Sequence, residues 1–112
     1  MTGGSVVDIQ LGEVIAHRDV VADRKDGSSF PVAVRLWAPR RDSDPAGDWV
    51  CPCRLDGLGE SRVWMIHGID AVQALQLAFV CLKGQLAAVA EEEGLTFTWL
   101  GESGLAPGDV LG

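Results

Sequence analysis

With 112 residues, 47% of them hydrophobic, the chain is sized for a single core and is far too apolar for a disordered segment. Its formal net charge of -7 argues against a phosphate-backbone partner, because nucleic-acid binders present a basic stripe. Arg35, Arg40, Arg41, Arg54 and Arg62 fall in one half of the chain, but Asp42, Asp44, Asp48, Asp56 and Glu60 are interleaved with them, so no positive block results.

The first ten residues (MTGGSVVDIQ) combine no basic run with an apolar one, so no signal peptide is expected. Residues 1–12 read as a tail or a strand lead-in. Val14 to Val21 is the first strand, and the Asp26-Gly27 pair supplies the chemistry of a two-residue hairpin turn. Phe30 to Trp37 follows as the second strand, bracketed by Pro31 and Pro39. The breaker-rich stretch 38–48 (APRRDSDPAGD) is a surface loop. Trp49 to Leu55 and Ser61 to His67 are strands three and four, joined by a short Gly-rich turn.

The longest element comes next. Asp70 is a good N-cap with Gln73 three residues on, and Gly94 sits where a left-handed C-terminal residue is wanted. Between them Val72, Leu75, Phe79, Leu82, Leu86 and Val89 recur at spacings of three and four, which predicts one buried stripe on a long helix. Leu95 to Leu100 alternates as a fifth strand, and the Gly-rich 101–112 ends the chain as a loosely held tail. The order β-β-β-β-α-β therefore predicts one α+β domain over 13–100. Its sheet is an antiparallel four- to five-stranded meander, with the helix packed across one face.

A second strip on the helix, Ala74, Leu77, Cys81, Gly84 and Ala88, widens the apolar arc beyond what one sheet covers. Gly84 within a helix costs about 1 kcal/mol against Ala, a cost that makes sense where another backbone approaches. This strip is the expected interaction face of a homodimer; the competing cover is the tail, through Leu105, Val110 and Leu111. Residues 71–90 approach the length of a membrane span, but three glutamines, Lys83 and Gly84 interrupt them, so a core helix is expected and no membrane.

Chemistry is scarce. Cys51 and Cys53, two apart in a strand, share a face, and with His67, His17 or Cys81 a zinc site can be drawn. The spacing is not that of a Cys-x-x-Cys knuckle, and simple pairing of strands three and four puts His67 on the opposite face. Buried apolar cysteines are the better reading, so no metal or other cofactor is expected. His67 beside Asp70 could tune a general base, yet no nucleophile elbow accompanies it. An odd cysteine count without a secretory signal fits free thiols in a reducing cytoplasm. The lack of Asn and Tyr, with only two lysines, suggests a bacterium of GC-rich genome.

The junction Val63-Trp64-Met65-Ile66-His67-Gly68-Ile69-Asp70-Ala71-Val72-Gln73-Ala74-Leu75 resembles a small bacterial family catalogued as a domain of unknown function, in which a strand enters a helix through Gly-x-Asp-x-x-Gln-Ala-Leu. Trp49-Val50-Cys51 and Ala38-Pro39 are similar too. The resemblance implies the α+β arrangement and no activity. The expected function is thus a non-enzymatic protein-interaction module acting as a homo-oligomer, with a small-molecule or metal-binding domain using Cys51, Cys53 and a histidine as the alternative.

Overall fold

The computed structural model describes residues 11–42, 48–59 and 62–111. The lead-in expected before Leu11, the middle of the 38–48 loop and the first residue expected in strand four lie outside them. Seven strands run as β1 (Val14–Asp23), β2 (Ser29–Trp37), β3 (Arg40–Arg41), β4 (Trp49–Asp56), β5 (Arg62–Gly68), β6 (Thr96–Trp99) and β7 (Glu102–Leu105). Two helices, α1 (Ala71–Glu93) and the short α2 (Pro107–Leu111), complete the described fold. All pairings are antiparallel, in the spatial order β5-β4-β2-β1-β6-β7, with β3 continuing β2's side of β4.

The expected α+β architecture is present, and the fifth predicted strand, β6, joins on the far side of β1. The first hairpin differs in detail. Arg24 N donates to Ser28 O at 2.8 Å, which closes a three-residue loop instead of a two-residue one, and Gly27 takes φ 90° in it. Asp26 secures that loop by accepting from both the backbone N and the Oγ of Ser28.

α1 begins where the capping chemistry places it. Asp70 accepts from Gln73 N at 2.7 Å, and Gln73 Oε1 accepts in return from Ile69 N at 2.8 Å. Gly94 closes it in the left-handed conformation, its N–H donating to Ala90 O. The buried face shares Leu82 and Leu86 with the predicted stripe, Leu75 and Val89 lie at its margin, and the rest differs. Ala74, Ala78, Leu82, Leu86 and Ala90 are buried, whereas Val72 is 64% and Phe79 41% exposed. Counting large side chains misplaced the stripe, because the sheet selects small residues where the helix must lie close. A row of residues four apart also drifts by about 40° per step, so the helix crosses the sheet obliquely.

That crossing divides the core in two. Ala74, Ala78 and Leu82 pack with Val34, Leu36, Cys51, Cys53 and Leu55. Leu86 and Ala90 pack with Val20, Ala22, Val32, Phe97 and Val110.

Residues beyond Leu100, read from the sequence as a loose tail, carry two further elements. Leu100 (φ 53°) and Gly101 (φ 82°) turn β6 into β7, and α2 then returns to the core, with Val110 only 1% exposed. Arg18 clamps it: the guanidinium donates to Val110 O at 2.8 Å and lies 4.0 Å from the centre of the Trp99 ring. Farther along, Asp23 ties three strands together by accepting from Ser29 Oγ on β2 and Thr98 Oγ1 on β6. Those two hydroxyls, Thr98 first, hold the Asp23 carboxyl below its ordinary pKa.

Two glycines in this region should behave oppositely. A Cβ at Gly68 would stand 2.4 Å from Ala74 N, while at Gly84 it would meet nothing within 4 Å. Gly68→Ala should cost about 1–3 kcal/mol or more through forced displacement of the helix start. Gly84→Ala should stabilise the protomer by up to about 1 kcal/mol. Urea titration of the two variants checks both signs.

Candidate functional site

The sequence offered two candidate regions, the cysteines with a histidine and the outer strip of α1. The structure separates the histidines from the cysteines, and the two regions touch at Cys81.

Backbone direction in β4 explains the cysteines. Asp48 O accepts from Asp42 N at 2.8 Å on the β3 side, so even-numbered residues of β4 aim their backbone groups toward β3 and β2, and odd-numbered ones toward β5. Pro52 therefore has its missing donor on the β2 side, opposite Trp37. The Cys51 thiol makes good the loss, donating to Trp37 O at 3.4 Å. Both Cys51 and Cys53 are fully buried. Burial pushes the Cys51 thiol up to about 11 and the Cys53 thiol up to about 12, the latter helped by its neighbours Cys81 and Cys51. Such groups are poor nucleophiles and poor metal ligands, since both roles need the thiolate.

His67 stands across the sheet from them. Cys51 is paired with Ile66 and Val50 with His67, so adjacent pairs put the sulfur and the imidazole on opposite faces. The imidazole Nε2 donates to Asp42 at 2.8 Å, and Asp70, weighed from the sequence as its partner, is committed to the helix cap. His17 is exposed, 3.7 Å from Asp19. No group of three or more His, Cys, Asp or Glu side chains able to hold a metal occurs among the described residues. Cys81 does reach the sheet: its thiol hydrogen-bonds that of Cys53, a contact across layers that strand alternation could not reveal.

The outer strip of α1 needs one correction. Ala74, assigned to it from the helical wheel, is fully buried in the core between helix and sheet. The oblique crossing rolls the first turn inward, which removes Ala74 from any outer face. Leu77 remains 41% exposed, Cys81 is partly buried, and Gly84 and Ala88 are exposed. Around them Ile69 is 76%, Val80 61% and Val72 64% exposed.

By length and composition alone α1 passes for a membrane-crossing helix. Leu82 and Leu86, both fully buried, hold it to the sheet. The C-terminal segment covers only one flank: Leu111 and Phe79 line a small hollow over β1, while Ala88 lies on the other side of the helix. On that side the helix diverges from β5 and leaves a groove of about 360 Å³, floored by Leu55, Leu58, Trp64 and Val89, with Arg62 and Glu92 at its rim.

A family model described as Domain of unknown function (DUF6968) matches residues 16–107. The chain belongs to that family. Neither the search of curated proteins nor that of solved structures returned a match. For this DUF6968 chain the match spans most of β1 through β7 and ends at the first residue of α2, so the docking residues Val110 and Leu111 lie just past it. The outer strip is the region on which a function can be argued.

The thiols supply a check with a definite sign. Cys51 and Cys53 have folded pKa values raised above the ordinary 9.0 by burial, so their contribution to stability is complete below about pH 9 and is lost as pH rises toward 11 and 12. Denaturant midpoints should therefore decline on the alkaline side. In a disulfide-reagent titration of native protein at pH 8, Cys81 should react first, with Cys51 and Cys53 reacting only as the chain unfolds.

Proposed function

We propose that this DUF6968 protein is a non-enzymatic interaction module that works as a homo-oligomer, in its simplest form a two-fold dimer, using the outer flank of α1. The observation that carries the reading is apolar surface on a helix that the fold leaves open. Val72, Leu77 and Val80 are each between 41% and 64% exposed on α1, with Ile69 at 76% just before it, although α1 already spends five residues on the core. Single exposed apolar residues are ordinary; several along one helix mark a contact surface.

Gly84 points the same way. A glycine mid-helix costs about 1 kcal/mol, and nothing among the described residues requires it, since an added Cβ would be free of contact with them. A helix from a second copy, crossing close at Gly84, supplies the reason. Leu77, Cys81, Gly84 and Ala88 form the near edge of that contact, and Lys83 is the only charge between Ala71 and Ala90. The acidic groups that set the net charge of -7 thus lie mostly away from the strip, and two like-charged copies can meet there. Buried, protonated thiols suit a reducing cytoplasm, where such a module would remain free of disulfides.

Light scattering after size exclusion, from micromolar to millimolar protein, should return twice the chain mass. Leu77→Glu should weaken association at least tenfold while leaving the circular dichroism spectrum unchanged, because Leu77 is not part of the protomer core. Gly84→Ala should stabilise the protomer and yet loosen the dimer. A chain that stays monomeric across the range, or that sediments with lipid vesicles in place of self-associating, would overturn the reading.

A further inference from the structure

The two outer strands of the sheet are built very differently. β7 is four residues long, carries Glu102 and contains Gly104 at φ 69°, and its pairing with β6 is interrupted by a bulge. Short length, charge and irregularity are the usual guards of a sheet edge. β5 lacks the short length and the irregularity, and its one fixed charge, Arg62, stands at its first residue. It runs seven residues, Arg62–Gly68, in unbroken register with β4, and it contains neither proline, lysine nor carboxylate. Among the described residues it pairs with no other strand.

Which backbone groups it offers follows from β4. Odd-numbered β4 residues face β5, so Trp64 and Ile66, opposite Cys53 and Cys51, make the ladder hydrogen bonds inward. By alternation Val63, Met65 and His67 aim their N–H and C=O groups outward. Met65 sits at the middle of the strand with 42% of its surface exposed.

We infer that the second copy docks by antiparallel pairing of β5 with its own mate about a two-fold axis at Met65, joining both sheets into one, with the Leu77 and Cys81 flank of α1 facing its equivalent above the seam. This rests on the homo-oligomer reading and specifies its geometry. A second copy is the fitting occupant because an antiparallel edge is its own complement: each outward N–H and C=O of Met65 meets the same residue's groups on the mate. Charge fits as well. β5 brings only Arg62 and His67 to an otherwise acidic chain, so no carboxylates are forced together at the seam.

Extent is adequate too. At about 3.3 Å per residue β5 presents roughly 23 Å of edge, and a contact two layers deep over that length approaches the roughly 800 Å² per partner of a stable dimer. Cys81 lies on this side of the helix, since its thiol stands near that of Cys53 on β4, next to β5.

Met65→Pro deletes one outward donor and leaves every rung to β4 in place, so the variant should fold and lose at least tenfold in dimer affinity. Met65→Cys in a Cys81→Ser background should give a covalent dimer on mild oxidation, because directly opposed residues of such a ladder have Cα atoms about 5.5 Å apart, within disulfide reach. Should Met65→Pro fail to fold, the cross-link decides. A dimeric wild type whose Met65→Cys variant yields no covalent dimer overturns β5 pairing, and Leu77→Glu then tells whether the helix strip still carries association. A monomeric wild type overturns both.

Discussion

The structure depends on a row of five residues, Ala74, Ala78, Leu82, Leu86 and Ala90, by which α1 rests on the sheet. Three are alanines, so the helix backbone comes close to the strands at both ends, and the leucines fill the middle. Because the row drifts around the helix, contact is kept only if α1 crosses the strands obliquely. Its first half then lies over β5, β4 and β2, its second half over β2, β1 and β6, and the wedge between that second half and β5 opens as a groove. One oblique contact thus explains the two-part core, the groove and the helix surface left over.

Closing the other flank is the work of the C-terminal segment. Val110 completes the cluster around Leu86 and Phe97, and Arg18 holds that turn by one hydrogen bond and one stacking contact on Trp99. The segment reaches the β1 side of α1, where Leu111 and Phe79 line one hollow, whereas Ala88 lines the groove on the other side. The asymmetry of the exposed surface is therefore a property of the chain's own connectivity. Among the described residues it leaves the β5 side of α1 open.

Pro52 within a central strand shows how a local cost is absorbed. Its absent N–H faces the place where β2 ends and β3 begins, and the Cys51 thiol donates to the carbonyl that would otherwise lose its ladder partner. The Cys-Pro-Cys triplet, the piece of sequence that most invites a metal reading, is thereby a backbone repair. Burial then keeps both sulfurs protonated and unreactive.

Much of the fold was legible in the residue pattern, because caps, turns and strand alternation are short-range effects. Asp70, Gln73 and Gly94 mark the ends of α1 through hydrogen bonds spanning a few residues. Alternation likewise separates His67 from the cysteines by strand period alone. The pattern misjudged whatever depends on distance between layers. It ranked Val72 and Phe79 above Ala74 and Ala78, since hydrophobicity favours bulk while close approach to a sheet favours small side chains. It also passed over β7 and α2, whose residues are Gly-rich and weakly patterned and are ordered by Arg18 and Trp99 from elsewhere in the chain. By itself, then, the sequence determined where the elements begin and end. Only the tertiary structure decided which face of the helix is spent on the core and which edge of the sheet stays open, because those depend on how packed layers meet.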